Sequence, residues 1–210
     1  MTGEKSKKNT KKKKAFIRRG EVFKAMLEII SEGGMSSLST TKIAKKMGIT
    51  QPALYRYFKN RDEMFLLFFE ELKSKLLDIV KKAKKEKTLN GKIKTLLNYH
   101  FQFMKETKAI PSIVFSGYLF EGDEEKKSKV REVMGFYRSE IENMFREGNF
   151  PEKLLPLSSD FTVGALMSFV LRWLYDEDFD FEKNLEVVDE YVSILLESND
   201  GDGDISSIMI

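Results

Sequence analysis

What most constrains this 210-residue chain is the spacing of its apolar residues. Phe16, Gly20, Phe23, Leu27 and Ile30 recur at intervals of 4, 3, 4 and 3. Near the other end, Phe181, Leu185, Val188, Val192 and Leu195 repeat the pattern. That spacing lays one face along an α-helix, whereas a half-buried strand needs alternation with period two, which the chain nowhere sustains. Four prolines and long runs rich in Lys, Glu and Leu reinforce the helical reading. The expectation is therefore an all-α protein.

Start and stop signals place the helices. Gly33-Gly34 ends the first helix, Ser39 caps a second, and Gly48 ends it. Thr50 caps a short third helix with Pro52 in its first turn, where a missing N–H costs nothing. Asn60 with Glu63 resembles a capping box at the head of a long helix, residues 61–85. Further helices are expected at 89–107, 110–119, 124–148, 157–175 and 182–197, separated by Gly, Pro and Asp/Asn breaks.

Composition narrows the chemistry. With 41% hydrophobic residues the chain can build a core. No cysteine means no disulfide, thiolate ligand or cysteine nucleophile, and one histidine, His100, leaves little for imidazole catalysis. His100, between Tyr99 and Phe101, reads as a structural histidine. No P-loop, Rossmann fingerprint, Gly-x-Ser-x-Gly or His-Glu-x-x-His is present. Asp200 to Asp204 resembles an EF-hand start, but Ile205 stands where glycine is needed. An enzyme, a metal site and a cofactor are all unexpected. No apolar run approaches the ~20 residues that span a bilayer, and no signal peptide is visible, so a cytoplasmic protein without membrane partners is expected.

Charge is divided along the chain. Residues 1–60 carry 15 Lys+Arg against 4 Asp+Glu, and residues 61–210 carry 21 against 29. A basic head on an acidic body seeks a polyanion through the head alone. Residues 1–13 are lysine-rich and lack periodic apolar positions, as expected of a disordered arm.

Residues 36–58, SSLSTTKIAKKMGITQPALYRYF, hold two short helices joined at Gly48-Ile49-Thr50, a helix-turn-helix. Ile43, Ala44, Ile49 and Leu54 are suited to pack the pair. The second helix leads with Thr50, Gln51, Pro52 and Ala53, in the position from which a recognition helix meets base edges. Gln suits a bidentate contact to adenine, and Pro or Ala suits a thymine methyl. Tyr55, Arg56, Tyr57 and Lys59 are long donors suited to phosphate oxygens.

The order Gly34, Ser39-Thr40-Thr41, Ile43-Ala44, Gly48, Leu54-Tyr55-Arg56-Tyr57-Phe58 and Arg61-Asp62-Glu63 resembles the DNA-binding domain of TetR-family transcriptional regulators over roughly residues 18–64. Arg61 stands where Lys is usual and Pro52 where Gly or Ala is common. The resemblance implies that Thr40, Thr50, Tyr55, Tyr57 and Arg61 hold the phosphate backbone and that Gln51, Pro52 and Ala53 face bases, with Arg56 able to do either. It also implies a larger helical domain with an effector pocket closed by helix four, with Phe65 and Phe68 at its wall.

The second half is rich in rings and methionines, which commonly line apolar ligand cavities. Phe101, Met104, Phe115, Tyr118, Phe136, Phe169 and Trp173 join Phe65 and Phe68 as the expected pocket for an apolar or aromatic small-molecule effector. On the last two helices, Val163, Gly164, Met167 and Leu171 with Leu185, Val188, Val192 and Leu195 are the expected homodimer interface. The domains expected are a basic arm at 1–13, a helix-turn-helix domain at 14–60, an effector and dimerisation domain at 61–197, and a tail at 198–210. The function expected is a homodimeric regulator, of repressor type, that binds a palindromic double-stranded DNA operator and is released by its effector. The competing reading is a helical module for hydrophobic ligands whose basic arm docks on anionic membrane.

Overall fold

The computed structural model describes residues 19–197 except 57, 59, 108 and 110–123, and gives only the backbone of residues 35, 61, 181, 195 and 197. The expected helix at 110–119, Phe16, the basic arm and the tail lie outside the described residues. Among the described residues the regular structure is helical, with no strand. The helices are α1 (residues 19–33), α2 (Thr40–Lys46), α3 (Gln51–Tyr55), α4 (Arg61–Ala83), α5 (Leu89–Thr107), α6 (Glu124–Glu147), α7 (Leu155–Tyr175) and α8 (Phe181–Glu197). Two 3-10 turns, Met35–Ser37 and Glu152–Leu154, precede α2 and α7. Each helix boundary lies within about two residues of its sequence expectation.

The described residues form two compact units. One holds α1, α2, α3, α4 through Ser74 and α6 through Val133; the other holds Lys75–Lys105 and Met134 to the end of α8. α4 and α6 each contribute to both units.

In the first unit, α1 buries Val22, Phe23, Met26 and Ile30. Its Phe23 ring meets Phe68 of α4 at 5.2 Å, and Phe65 and Phe68 each pack edge-on against Phe69, at 4.9 and 5.5 Å. Lys46 joins α2 to the end of α1 through Glu32 (2.6 Å) and Glu28 (3.2 Å), and the hydrogen bonds to these carboxylates raise its pKa. Lys126 at the start of α6 reaches Asp62 at 2.8 Å and lies over the Phe65 ring. Further along, the Glu132 carboxylate accepts from Lys129 and Lys73, which hold its pKa down to about 2.

The second unit packs α5, with Ile93, Leu96, Leu97 and Phe101 buried, against Tyr137, Ile141 and Met144 of α6 and Leu166 and Phe169 of α7. Asn90 donates to Ser193 and Asn98 to Asp189, which fixes α8 antiparallel along α5. Gly148, just past α6, sits so close to Leu89 that an added Cβ would lie 2.8 Å from the leucine Cβ.

The expectation of no membrane-length apolar run needs correction. Residues Glu152–Tyr175 are long enough, and an 18-residue stretch within them, with a mean hydropathy of 1.6, apolar enough, to cross a bilayer by length and composition. The run escapes notice because Ser158, Ser159, Asp160 and Thr162 punctuate it, yet its average stays high. All three hydroxyls hide their polarity by donating to backbone carbonyls: Ser158 to Leu154 at 2.9 Å, and Ser159 to Pro156 and Thr162 to Ser158 at 2.8 Å.

Candidate nucleic-acid interface

Local chemistry builds this site. Ser39 is extended, and its hydroxyl accepts the Lys42 N–H at 3.2 Å, opening α2. The Met47 N–H closes on Ile43 and the Ile49 N–H on Ala44, a reversal that places Gly48 at φ +64°. That left-handed conformation is why a glycine stands there. Thr50 then caps α3 by accepting the Ala53 N–H at 3.3 Å, with Pro52 in the first turn. Asn60 accepts the Glu63 N–H at 2.7 Å to open α4. Ile43, Ala44, Leu54 and Phe58 are buried, so α3 is pinned from beneath while its leading end stands free.

Thr50 and Pro52 are exposed on that end and Tyr55 and Arg56 at the trailing end, while Gln51, Ala53 and Thr40 are partly exposed. Tyr55 is 42% exposed, and Phe58 supplies the ring of the pair that enters the core. Arg56 has no ion-pair partner among the described residues, so its charge is available to a polyanion. Tyr57 and Lys59 lie outside the described residues, as does the Arg61 side chain; the Arg61 backbone begins α4. The sequence reading missed one link: Gln51 Nε2 donates to Thr40 Oγ1 at 2.7 Å, and the Tyr55 hydroxyl lies 3.5 Å from the same oxygen. It also passed over Lys42 and Lys45, exposed cations on α2.

The expected effector residues fall in both units. Phe65 and Phe68 are core rings of the first unit, buried against Phe69 and Phe23. Phe101, Met104 and Phe169 are buried in the second unit, where the Phe101 and Phe169 rings lie 4.0 Å apart. Phe136 and Trp173 are partly buried there, and Phe115 and Tyr118 lie outside the described residues. His100 is structural: its Nδ1 and the Tyr137 hydroxyl are 2.9 Å apart, and burial pushes the imidazole down to about 4 and the phenol up. Among the described residues no group of three or more acidic or histidine side chains could hold a metal.

The expected dimer residues divide. Leu185 and Val192 are buried within this chain. Val163, Met167, Leu171 and Val188 are half-buried, Gly164 is exposed, and the Leu195 side chain is not described. The apolar residues that do stand exposed are Leu157, Phe161, Leu174 and Tyr175 on α7 and Val187, Tyr191 and Ile194 on α8. The division has a simple cause. Leu185 and Val192 share the α8 stripe that carries Asp189 and Ser193, the residues bonded to α5, and a shift of two positions turns a helix by ~200° to its other side.

An all-α chain that presents the capped leading end of a second short helix beside the lysines of α2 has the helix-turn-helix arrangement of a DNA-binding protein. Residues 22–67 match the family described as bacterial regulatory proteins, tetR family. The match spans the helix-turn-helix and the start of α4, so the chain is similar to that family of regulators over its DNA-binding domain. It is 26% identical to the fatty acid metabolism regulator protein of Bacillus subtilis (strain 168) over 167 residues, which cover 76% of this chain and 86% of the relative. It is 25% identical to the nucleoid occlusion factor SlmA of Actinobacillus pleuropneumoniae serotype 5b over 188 residues, covering 84% and 93%. Its fold is similar to that of the regulator FadR from Bacillus subtilis in complex with stearoyl-CoA, with a TM-score of 0.68, 22% identity, and coverage of 84% and 96%.

Proposed function

We propose that this chain is a homodimeric, ligand-responsive transcriptional repressor that reads a palindromic operator and leaves it on binding a long-chain acyl effector. The observation that carries the DNA reading is the leading end of α3, where Thr50 and Pro52 are open while Leu54 and Phe58 anchor the helix from beneath, with Arg56 exposed at its other end. Two such ends one helical turn apart, ~34–36 Å, would read a twofold site, which gives dimerisation a purpose. The exposed apolar face of α7 and α8 supports the dimer. The acyl effector is favoured by the likeness to regulators of fatty acid metabolism and by the apolar interior around Phe101, Met104 and Phe169.

Selection from a random duplex pool, followed by titration with stearoyl-CoA, tests the proposal. The expected outcome is a palindromic duplex whose affinity falls steeply with salt and which is released by micromolar acyl-CoA. Binding that ignores sequence, or that occurs only on anionic vesicles, refutes the DNA reading. Sequence-specific binding that stearoyl-CoA leaves untouched refutes the effector alone.

A further inference from the structure

We infer that Thr40 is the positioning residue for base reading: it holds the Gln51 amide in the orientation that recognises adenine. This rests on the DNA reading proposed above. Thr40 opens α2 and Gln51 opens α3, and the turn brings Gln51 Nε2 to 2.7 Å from Thr40 Oγ1. The Tyr55 hydroxyl approaches the same oxygen at 3.5 Å. A hydroxyl oxygen accepts through two lone pairs, and here both are turned towards the protein. Its proton is able to turn outwards, where a phosphate oxygen would take it.

The consequence for Gln51 is geometric. A primary amide carries two N–H donors on one nitrogen and an acceptor oxygen in the same plane. Once one N–H is committed to Thr40, the plane is set, and the other N–H with Oε1 forms a fixed donor–acceptor pair. Adenine offers the complement in the major groove, an N7 acceptor beside the N6 amino donor. A free glutamine would lose rotamer freedom on docking to that edge, whereas a tethered one has lost it already. Backbone grip and base reading are thereby joined: the hydroxyl that meets phosphate is the one that aims the amide.

The test compares duplex pools selected by the full chain and by its variants. Wild type selects adenine at one position in each half-site. Thr40→Val keeps the shape but removes the hydroxyl. It lowers affinity for every sequence and also lowers the adenine preference at that one position by about 3- to 10-fold, a fraction of the ~5- to 150-fold that a bidentate contact supplies. Thr40→Ser restores both. In a Gln51→Ala background, Thr40→Val leaves base preference unchanged, which separates positioning from misfolding. If Thr40→Val weakens all sequences alike and keeps the adenine preference, Thr40 is a phosphate contact only and the inference is overturned. If wild type selects no duplex, the DNA reading falls and takes this inference with it.

Discussion

Replacing Phe161 with serine should split the proposed dimer and leave the protomer intact. Phe161 lies on α7 and is 70% exposed in the single chain, so the folded subunit does not depend on it. An aromatic side chain buries ~200 Å² when fully covered, so about 140 Å² of this ring is available to a partner. At ~25 cal/mol per Å² that is about 3.5 kcal/mol per subunit, and a twofold interface counts it twice, up to ~7 kcal/mol. Area converts poorly into association energy because ordering and imperfect desolvation oppose it, so roughly half is a realistic loss. A loss of ~3 kcal/mol raises the dimer Kd about 100-fold. Sedimentation velocity over a wide concentration range measures this directly. Two controls sharpen it. Tyr99→Ser removes another exposed ring, on α5 beneath Lys82, and should leave the association state alone. Leu185→Ala removes a side chain buried within the chain, and should lower the unfolding midpoint instead. The reasoning fails if Phe161→Ser associates within threefold of wild type, or if Tyr99→Ser dissociates the dimer equally well.

Three further outcomes are expected. Burial pushes His100 down to about 4 from its ordinary 6.5, so the unfolded chain binds the extra proton between those values. Stability therefore rises with pH through that window and is lost as pH falls from 6.5 to 4, by at most about 3 kcal/mol; urea unfolding of wild type and His100→Gln at pH 7.5 and 5 should show the slope only in wild type. Gly148→Ala must displace Leu89 at the start of α5, and a cost of ~1–3 kcal/mol should appear as a lower thermal midpoint, whereas Gly135→Ala, with open space around it, should not lower it. Deleting residues 1–14, which carry seven lysines, should flatten the salt dependence of operator binding, since each phosphate contact contributes about 0.9 to the slope; an unchanged slope would mean that the arm does not touch DNA.

How much was legible follows from the range of the forces involved. The caps at Ser39, Thr50 and Asn60, and the left-handed turn at Gly48, involve residues two to five apart, so the sequence order displays them. The link between Thr40 and Gln51 spans eleven residues and depends on a rotamer, which no spacing rule reveals. Gly148 read as a helix break, whereas its nearness to Leu89 is a packing fact between segments far apart in sequence. Phe65 and Phe68 fall on an apolar stripe whether they face a ligand or the Phe23 ring, and only the tertiary structure distinguishes the two.

The last two helices show the same ambiguity in its sharpest form. α8 carries two apolar stripes: Leu185 and Val192 on the side that meets α5, and Val187, Tyr191 and Ile194 on the other. The first is the stripe that spacing picks out, and it is consumed within the protomer. A helix apolar on two sides must bury both, in a core, a membrane or a partner. On α7 the exposed side presents Phe161, Gly164, Ala165 and Ser168, and Asp160 beside them is held by Arg138 at 2.6 Å. In hydrocarbon, that ion pair and the acidic positions Glu186 and Glu190 flanking Val187 would be costly. Small residues between larger ones instead allow close approach of a second helix pair, with charges left at its rim. The α7 and α8 surface therefore favours a second copy of the chain over a bilayer, although α7 meets the length and apolarity of a spanning helix.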